Sequence, residues 1–225
     1  MIILGLDTAL GACSAALVAD GRSIAHEHRA MLRGHAEALA PMGEALMREA
    51  GLGFSQLDRI AVTTGPGTFT GQRVGLAFAR ALRVALNKPV IGVTTLGVMA
   101  EEALTKQRVP WAIAAADAKR GEIYLGARSA QGETLLGPEL IAAESVLARI
   151  AALAKVHGCQ LALAGTAAQI IAPSLADAGL LPIDSLVRQP DAIFVARLAA
   201  HAQIGAPPKP LYLRAPDAKL PDGTP

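Results

Sequence analysis

Two aspartates are placed where phosphate chemistry is often done. Asp7 closes the apolar run Ile2-Ile3-Leu4-Gly5-Leu6, and Asp117 closes a second run, Trp111 to Ala116; a glycine turn follows each, at Gly11 and Gly121. A carboxylate at the end of a first strand, beside a turn whose amides can face phosphate, suits a magnesium-nucleotide contact. The pair predicts two loops facing across a cleft. The competing expectation is that each Asp caps its own turn. A second candidate is Gly65-Pro66-Gly67-Thr68-Phe69-Thr70-Gly71-Gln72-Arg73. It ends a strand and opens a helix, so its amides and helix dipole could hold an anion. It lacks the spacing of a Walker loop or a dinucleotide fingerprint. It could equally be a tight turn with Thr68 as the helix cap. His26 and His28 share one strand face within a basic stretch that includes Arg22, Arg29, Arg33 and His35. No third metal ligand accompanies them, so a solvated face is expected. No nucleophile elbow occurs.

The elements that must carry these residues are legible from periodicity and turn chemistry. Ile2 to Leu6, Cys13 to Val18 and Ser23 to His28 read as three antiparallel strands joined at Gly11 and Asp20-Gly21. A helix from about Gly34 to Ala50, a strand from Arg59 to Thr64, a helix from Phe69 to Leu86, a strand from Pro89 to Val93 and a helix from Thr94 to Leu104 follow. The second half repeats the opening with a strand ending at Asp117 and another from Glu122 to Arg128. A strand near Leu140, a helix from Ala143 to Lys155, a strand from Gln160 to Ala164, helices after Gly165 and Asp191, and a Pro-rich tail from Ala206 to Pro225 complete it. A duplicated α/β architecture is expected, divided near Gln107 to Pro110 into segments 1–107 and 108–225.

Composition narrows the functional classes. The chain has 225 residues, 52% of them hydrophobic and 18% charged, which excludes a disordered chain. A formal charge of +2 is far from that of a protein coated in phosphate-binding cations. Any contact with nucleic acid must therefore be local or made through a partner. Aromatics make up only 3% against 47 alanines, so packing relies on small side chains. Cys13 and Cys159 are expected to be buried free thiols, consistent with a reducing cytosol. Neither a signal peptide nor a membrane span is expected.

The helix expected over Phe69 to Leu86 carries more apolar surface than one sheet needs. Gln72, Arg73, Arg80, Arg83 and Asn87 form one narrow polar arc, with Leu76 inside it, and apolar or small residues occupy most of the rest. The helix of residues 35–50 is similar, with Glu37, Pro41, Glu44 and Arg48 on its polar side. A protein interface is expected at Leu39, Met42, Gly43, Leu46, Gly71, Val74, Gly75, Phe78, Ala81 and Leu82. Two stripes of small residues, Gly71-Gly75-Ala79 and Ala77-Ala81-Ala85, lie about 120° apart. One should face the chain's own sheet and the other a partner; sequence leaves open which.

These motifs together resemble the bacterial TsaB (YeaZ) family. The resemblance runs through Leu4-Gly5-Leu6-Asp7-Thr8-Ala9, His35-Ala36-Glu37, the Gly65 to Arg73 stretch, Ile91-Gly92-Val93-Thr94-Thr95-Leu96, Asp117 to Tyr124 and Tyr212-Leu213-Arg214. It implies a duplicated actin-like fold of the acetokinase, sugar kinase, Hsp70 and actin superfamily, with a mixed sheet and flanking helices in each lobe. It also implies a cytoplasmic, non-catalytic subunit of the complex that places threonylcarbamoyl on the tRNA adenosine next to the anticodon. The implied partners are a TsaD-like catalytic subunit, a TsaE-like ATPase, a second copy of the chain, and tRNA reached through the complex. Related TsaD-like chains carry two metal-binding histidines where this sequence has Thr95 and Met99, a pair unable to replace two imidazoles. No cofactor of its own is implied, with ATP or ADP held in the assembled complex; Asp7 and Asp117 are the residues nearest a nucleotide cleft. An ATP-dependent phosphotransferase of the same superfamily is the alternative, and the old peptidase label a third.

Overall fold

The computed structural model describes residues 1–214; the remainder of the expected Pro-rich tail lies outside the described residues. The first half runs β1 (Ile2–Asp7), β2 (Ala12–Ala19), β3 (Arg22–Ala30), α1 (His35–Glu49), β4 (Arg59–Thr63), α2 (Phe69–Leu86), β5 (Val90–Val93) and α3 (Thr95–Gln107). The second runs β6 (Trp111–Lys119), β7 (Glu122–Ser129), β8 (Thr134–Ala142), α4 (Val146–His157), β9 (Gln160–Ala164), α5 (Ala168–Asp177), β10 (Leu181–Asp184) and α6 (Ala192–His201). Each half supplies one five-stranded sheet, in the orders β3-β2-β1-β4-β5 and β10-β9-β6-β7-β8. The two are equivalent strand for strand. In both, the opening hairpin is antiparallel and the strands added across the helices are parallel. This is the duplicated actin-like α/β fold.

The continuous apolar run of β1 reflects burial on both faces, as expected for a central strand. Leu4 and Leu6 point into a core shared with Leu39, Met42 and Leu46 of α1 and Leu76 and Ala79 of α2. Ile3 points the other way, onto Val195, Ala196 and Ala199 of α6. Between them Gly5 lets α6 lie directly on the strand, since a Cβ there would run into the Ala192 carbonyl. In the second sheet Trp111, Ile113 and Ala115 face α4 and α5, while Ala112, Ala114 and Ala116 face α3.

The helices therefore cross between halves. α3 packs on β6, β7 and β9, α6 packs on β1, β2 and β4, and the two helices touch each other. Neither sheet is covered on both faces by its own half of the sequence. Sequence patterning does not announce the crossing, nor does it show β10, a four-residue edge strand containing Pro182. Cys13 is buried as expected, with burial pushing its thiol up to about 11, but Cys159 is exposed because it lies in the tight link between α4 and β9.

His26 and His28 lie on the exposed face expected of their strand, and His26 has in addition a partner there. Its Nε2 lies 3.1 Å from Asp191 Oδ1, and Asp191 also caps α6 by accepting the Ile193 amide at 2.8 Å. The hydrogen bond to Asp191 raises the imidazole above its ordinary value. Burial works to raise the Asp191 carboxyl, but His26 and the Ile193 amide outweigh it and hold it low. A raised His contributes stability that is complete below its unfolded value of about 6.5 and is lost as pH climbs through its folded value. His26→Gln should therefore cost about 1 kcal/mol at pH 6 and almost nothing at pH 9. Urea titrations at the two pH values measure it; an equal loss at both would show that charge is not what holds His26 to α6.

Candidate functional site

The glycine loop after β4 is a packing device for the turn after β1. Thr8 donates its hydroxyl to the Gly71 carbonyl at 2.7 Å, and the Thr68 amide donates to the Ala9 carbonyl at 2.8 Å. A Cβ at Gly67 or Gly71 would strike the backbone of Ala9 or Thr8. Thr68 accepts the Gly71 amide at 3.1 Å and so caps α2. The glycines are there for close backbone approach. The expected polar arc of α2 is also corrected. Gln72 is buried with its amide folded against Gly65, where a Cβ would lie only 2.7 Å away.

Asp7 does not face a cleft. It is fully buried, with Oδ1 accepting the Thr63 hydroxyl at 2.6 Å and the Ala9 amide at 3.2 Å. Burial pushes its carboxyl up to about 7, against the pull of those two hydrogen bonds. The turn-capping expectation describes it. The neighbouring Gly11 amide is occupied too, donating 2.7 Å to Gln189 Oε1 from the loop before α6. Gln189 is a site residue that sequence reasoning missed, because the contact joins positions 178 apart.

Asp117 does line a cleft. Together with Lys119 and Thr166 it faces Arg33, His35 and Thr70 across a space of about 660 Å³. Its carboxylate is engaged locally, accepting the Lys119 amide at 2.8 Å and the Lys119 ammonium at 2.6 Å. Lys119 holds it below the usual carboxylate range. The Asp117 amide donates to the Thr166 hydroxyl at 2.9 Å. The two aspartates are thus equivalent in the duplicated fold but not in environment: one is buried and desolvated, the other partly exposed and salt-bridged.

Six of the expected interface residues are consumed by the chain's own packing. Leu39, Met42 and Leu46 lie in the core beneath α1, and Gly43 faces Phe78 of α2. Gly71 and Gly75 face Thr8 and Val62. The reason is that α1 and α2 pack on each other as well as on the sheet, which uses up the broad apolar face of α1. The open alternative on α2 is resolved. Gly71, Gly75 and Ala79 face the core, whereas Ala77, Ala81 and Ala85 are exposed. Beside that exposed row, Val84 is 82% exposed and Val74, Phe78 and Leu82 are half-buried.

Thr95 and Met99 are fully buried at the start of α3. Met99 packs among Leu96, Ala103 and Ala114. Among the described residues no His, Cys, Asp and Glu side chains cluster in a metal-ligating group. No helix among them is long and apolar enough to cross a membrane.

Comparison with known proteins agrees with this architecture. Residues 29–215 match the family model for the tRNA N6-adenosine threonylcarbamoyltransferase TsaD. A tRNA threonylcarbamoyladenosine biosynthesis protein TsaB of Escherichia coli is 39% identical over 124 residues, 55% of this chain and 53% of that one. The chain thus spans about half the length of the curated TsaB relatives it matches first. An uncharacterized protein of Mycobacterium tuberculosis is 36% identical over 96% of this chain and 93% of its own length. The solved YeaZ structure from Pseudomonas aeruginosa superposes with a TM-score of 0.78 at 30% identity, covering 94% of this chain and 99% of that one. A more distant likeness, to a dehydratase component A from Acidaminococcus fermentans at 14% identity and a TM-score of 0.54, extends the fold alone. With a family model covering most of its length and a YeaZ structure matching nearly all of it, the chain belongs to the TsaB (YeaZ) family.

Proposed function

We propose that this chain is a non-catalytic, activating subunit in the biosynthesis of threonylcarbamoyladenosine on tRNA, working by binding a TsaD-like catalytic subunit through α2. The observation that carries the proposal is the exposed apolar row Ala77, Ala81, Val84 and Ala85, on a helix whose opposite stripe is already committed to the core. Such a row, flanked by half-buried Val74, Phe78 and Leu82, has the small side chains that let a partner helix approach closely. A second copy of the chain could use the same row, so a homodimer would be displaced by the partner. A TsaE-like ATPase and tRNA would join the assembled complex.

The first turn does not fit a nucleotide of the chain's own. Asp7 is buried without solvent access, and the Ala9 and Gly11 amides are already donated to Asp7 and Gln189. Nor do Thr95 and Met99, closed into the core, fit a transition metal. In the proposed complex, ATP or ADP is held by the assembly and the partner performs the transfer. Gel filtration of the purified chain with a TsaD-like subunit tests the proposal. Co-elution that Leu82→Glu abolishes, without loss of that variant's fold, is expected. Separate elution at all concentrations would overturn it.

A further inference from the structure

Among the described residues several cations elsewhere are paired with carboxylates. Arg29 meets Glu27, Lys106 meets Glu102, Lys119 meets Asp117, Arg128 meets Glu101, Arg149 meets Glu139 and Arg188 meets Asp184. α2 gathers several cations without such pairs on one helix. It carries Arg73, Arg80 and Arg83, all exposed, with no acidic residue anywhere in its sequence, and Lys88 follows just beyond its end. Among the described residues no carboxylate pairs with any of the four. The groups that hold them are neutral: Arg73 donates to the Tyr212 hydroxyl at 2.9 Å, and Arg80 donates to the Pro208 carbonyl at 2.7 Å. Their charge is thus oriented without being neutralised.

An aromatic pair stands at the start of this strip. Phe69 and Tyr212 stack with ring centroids 5.6 Å apart, and the Arg73 guanidinium lies 3.5 Å from the Phe69 centroid. In a chain so poor in aromatics, both rings are nonetheless well exposed, Phe69 at 58% and Tyr212 at 46%. From Arg73 to Lys88 the strip extends roughly 22 Å along the helix. Arg73, Arg80 and Arg83 fall within about 80° of one another, on the opposite side of Arg73 from Ala81 and Ala85. A partner docked on the apolar row would leave the cations at its rim.

We infer that this strip binds an RNA backbone, with Arg73, Arg80 and Arg83 on successive phosphates and the Phe69–Tyr212 pair offering a stacking surface to a base. Unneutralised arginines in a row supply the electrostatic part of such binding, and exposed rings the sequence-tolerant part. RNA supplies both partners on one strand, phosphates for the guanidiniums and bases for the exposed rings. The inference rests on the proposed place of the chain in tRNA modification, and deepens it by putting tRNA in direct contact with this subunit.

The test is binding of unfractionated tRNA to the full chain, alone and with the TsaD-like subunit, between 50 and 200 mM salt on the order used for such titrations. For three phosphate contacts the slope of log K against log salt should be about −2 to −3. Arg80→Gln/Arg83→Gln should flatten it by about 1.5 and weaken binding about tenfold, and Arg83→Gln alone, which leaves the Arg80–Pro208 bond intact, by about half that slope. Phe69→Ala should weaken binding about five- to tenfold with little change in slope. Melting curves establish that each variant is folded. A salt slope unchanged by the double variant in both preparations, or polyglutamate bound in place of tRNA at these residues, would overturn the inference. Co-elution with the TsaD-like subunit is scored on the same wild-type samples. If it persists without RNA binding, only this inference fails; if it too is absent, the proposed function fails.

Discussion

Gly75→Arg should unfold much of the protein, whereas Ala81→Arg, six residues on along the same helix, should leave its melting temperature within about a degree of wild type and abolish pairing with the TsaD-like subunit. At Gly75 even a Cβ would lie 2.8 Å from Thr8 Oγ1 and 3.2 Å from Val62 Cγ2. The Thr8 hydroxyl is fixed by its bond to Gly71, so the neighbour cannot yield without breaking the contact that seats the loop on the first turn. A longer side chain adds overpacking and a buried, unpaired charge, together on the order of 3 kcal/mol or more. That is a large share of a domain's total stability. At Ala81 the new guanidinium enters water in the free chain, and meets an apolar partner helix only on association. Thermal melts and co-elution, run on both variants, read the two effects separately. If Ala81→Arg still pairs, α2 is not the contact.

The second large effect concerns Asp7 and pH. A carboxyl raised from 3.8 to about 7 by burial favours its neutral form in the folded state. Its contribution to stability is complete below pH 4 and is lost as pH rises through 7. Above that, the folded protein carries the cost of a buried carboxylate, in the range of a few kcal/mol by linkage. Asp7→Asn keeps the shape and an acceptor for Thr63 and Ala9 but cannot ionise. Relative to wild type it should be more stabilising at pH 8.5 than at pH 5, in urea titrations of the isolated chain. Asp7→Ala should destabilise at pH 5, because it strips the turn of its cap and leaves the buried Thr63 hydroxyl without its acceptor. An Asn variant with the same effect at both pH values would mean that water reaches the carboxylate.

The pattern that could be read from sequence was the local one. Apolar β1, the turns at Gly11 and Gly121 and the capped helix beginning at Phe69 each follow from a few neighbouring residues, and their order implies the duplication. What sequence hides is which face of an element meets which distant segment. α2 is apolar on most of its circumference, and only the packing of Gly75 on Val62 distinguishes its inner from its outer stripe. α1 is apolar for the same reason but spends that surface on α2 and the sheet. Asp7 and Asp117 hold equivalent places in the duplicated fold; Lys119, two residues on, could be read beside Asp117, but the Thr63 hydroxyl that meets Asp7 comes from a strand 56 residues away. Gln189 occupies the Gly11 amide only because the loop before α6 returns to the first sheet. No periodicity records a return of that kind.

The proposed role is to activate transfer without performing it. Its most direct measurement is incorporation of labelled threonylcarbamoyl into tRNA by three preparations: the chain, a TsaD-like subunit, and both, with the ATPase and the activated donor present throughout. Product is expected only from the combined preparation, and Ala81→Arg in place of the wild-type chain should return it to background. Product from this chain without the TsaD-like subunit, or full activity of that subunit without this chain, would contradict the account.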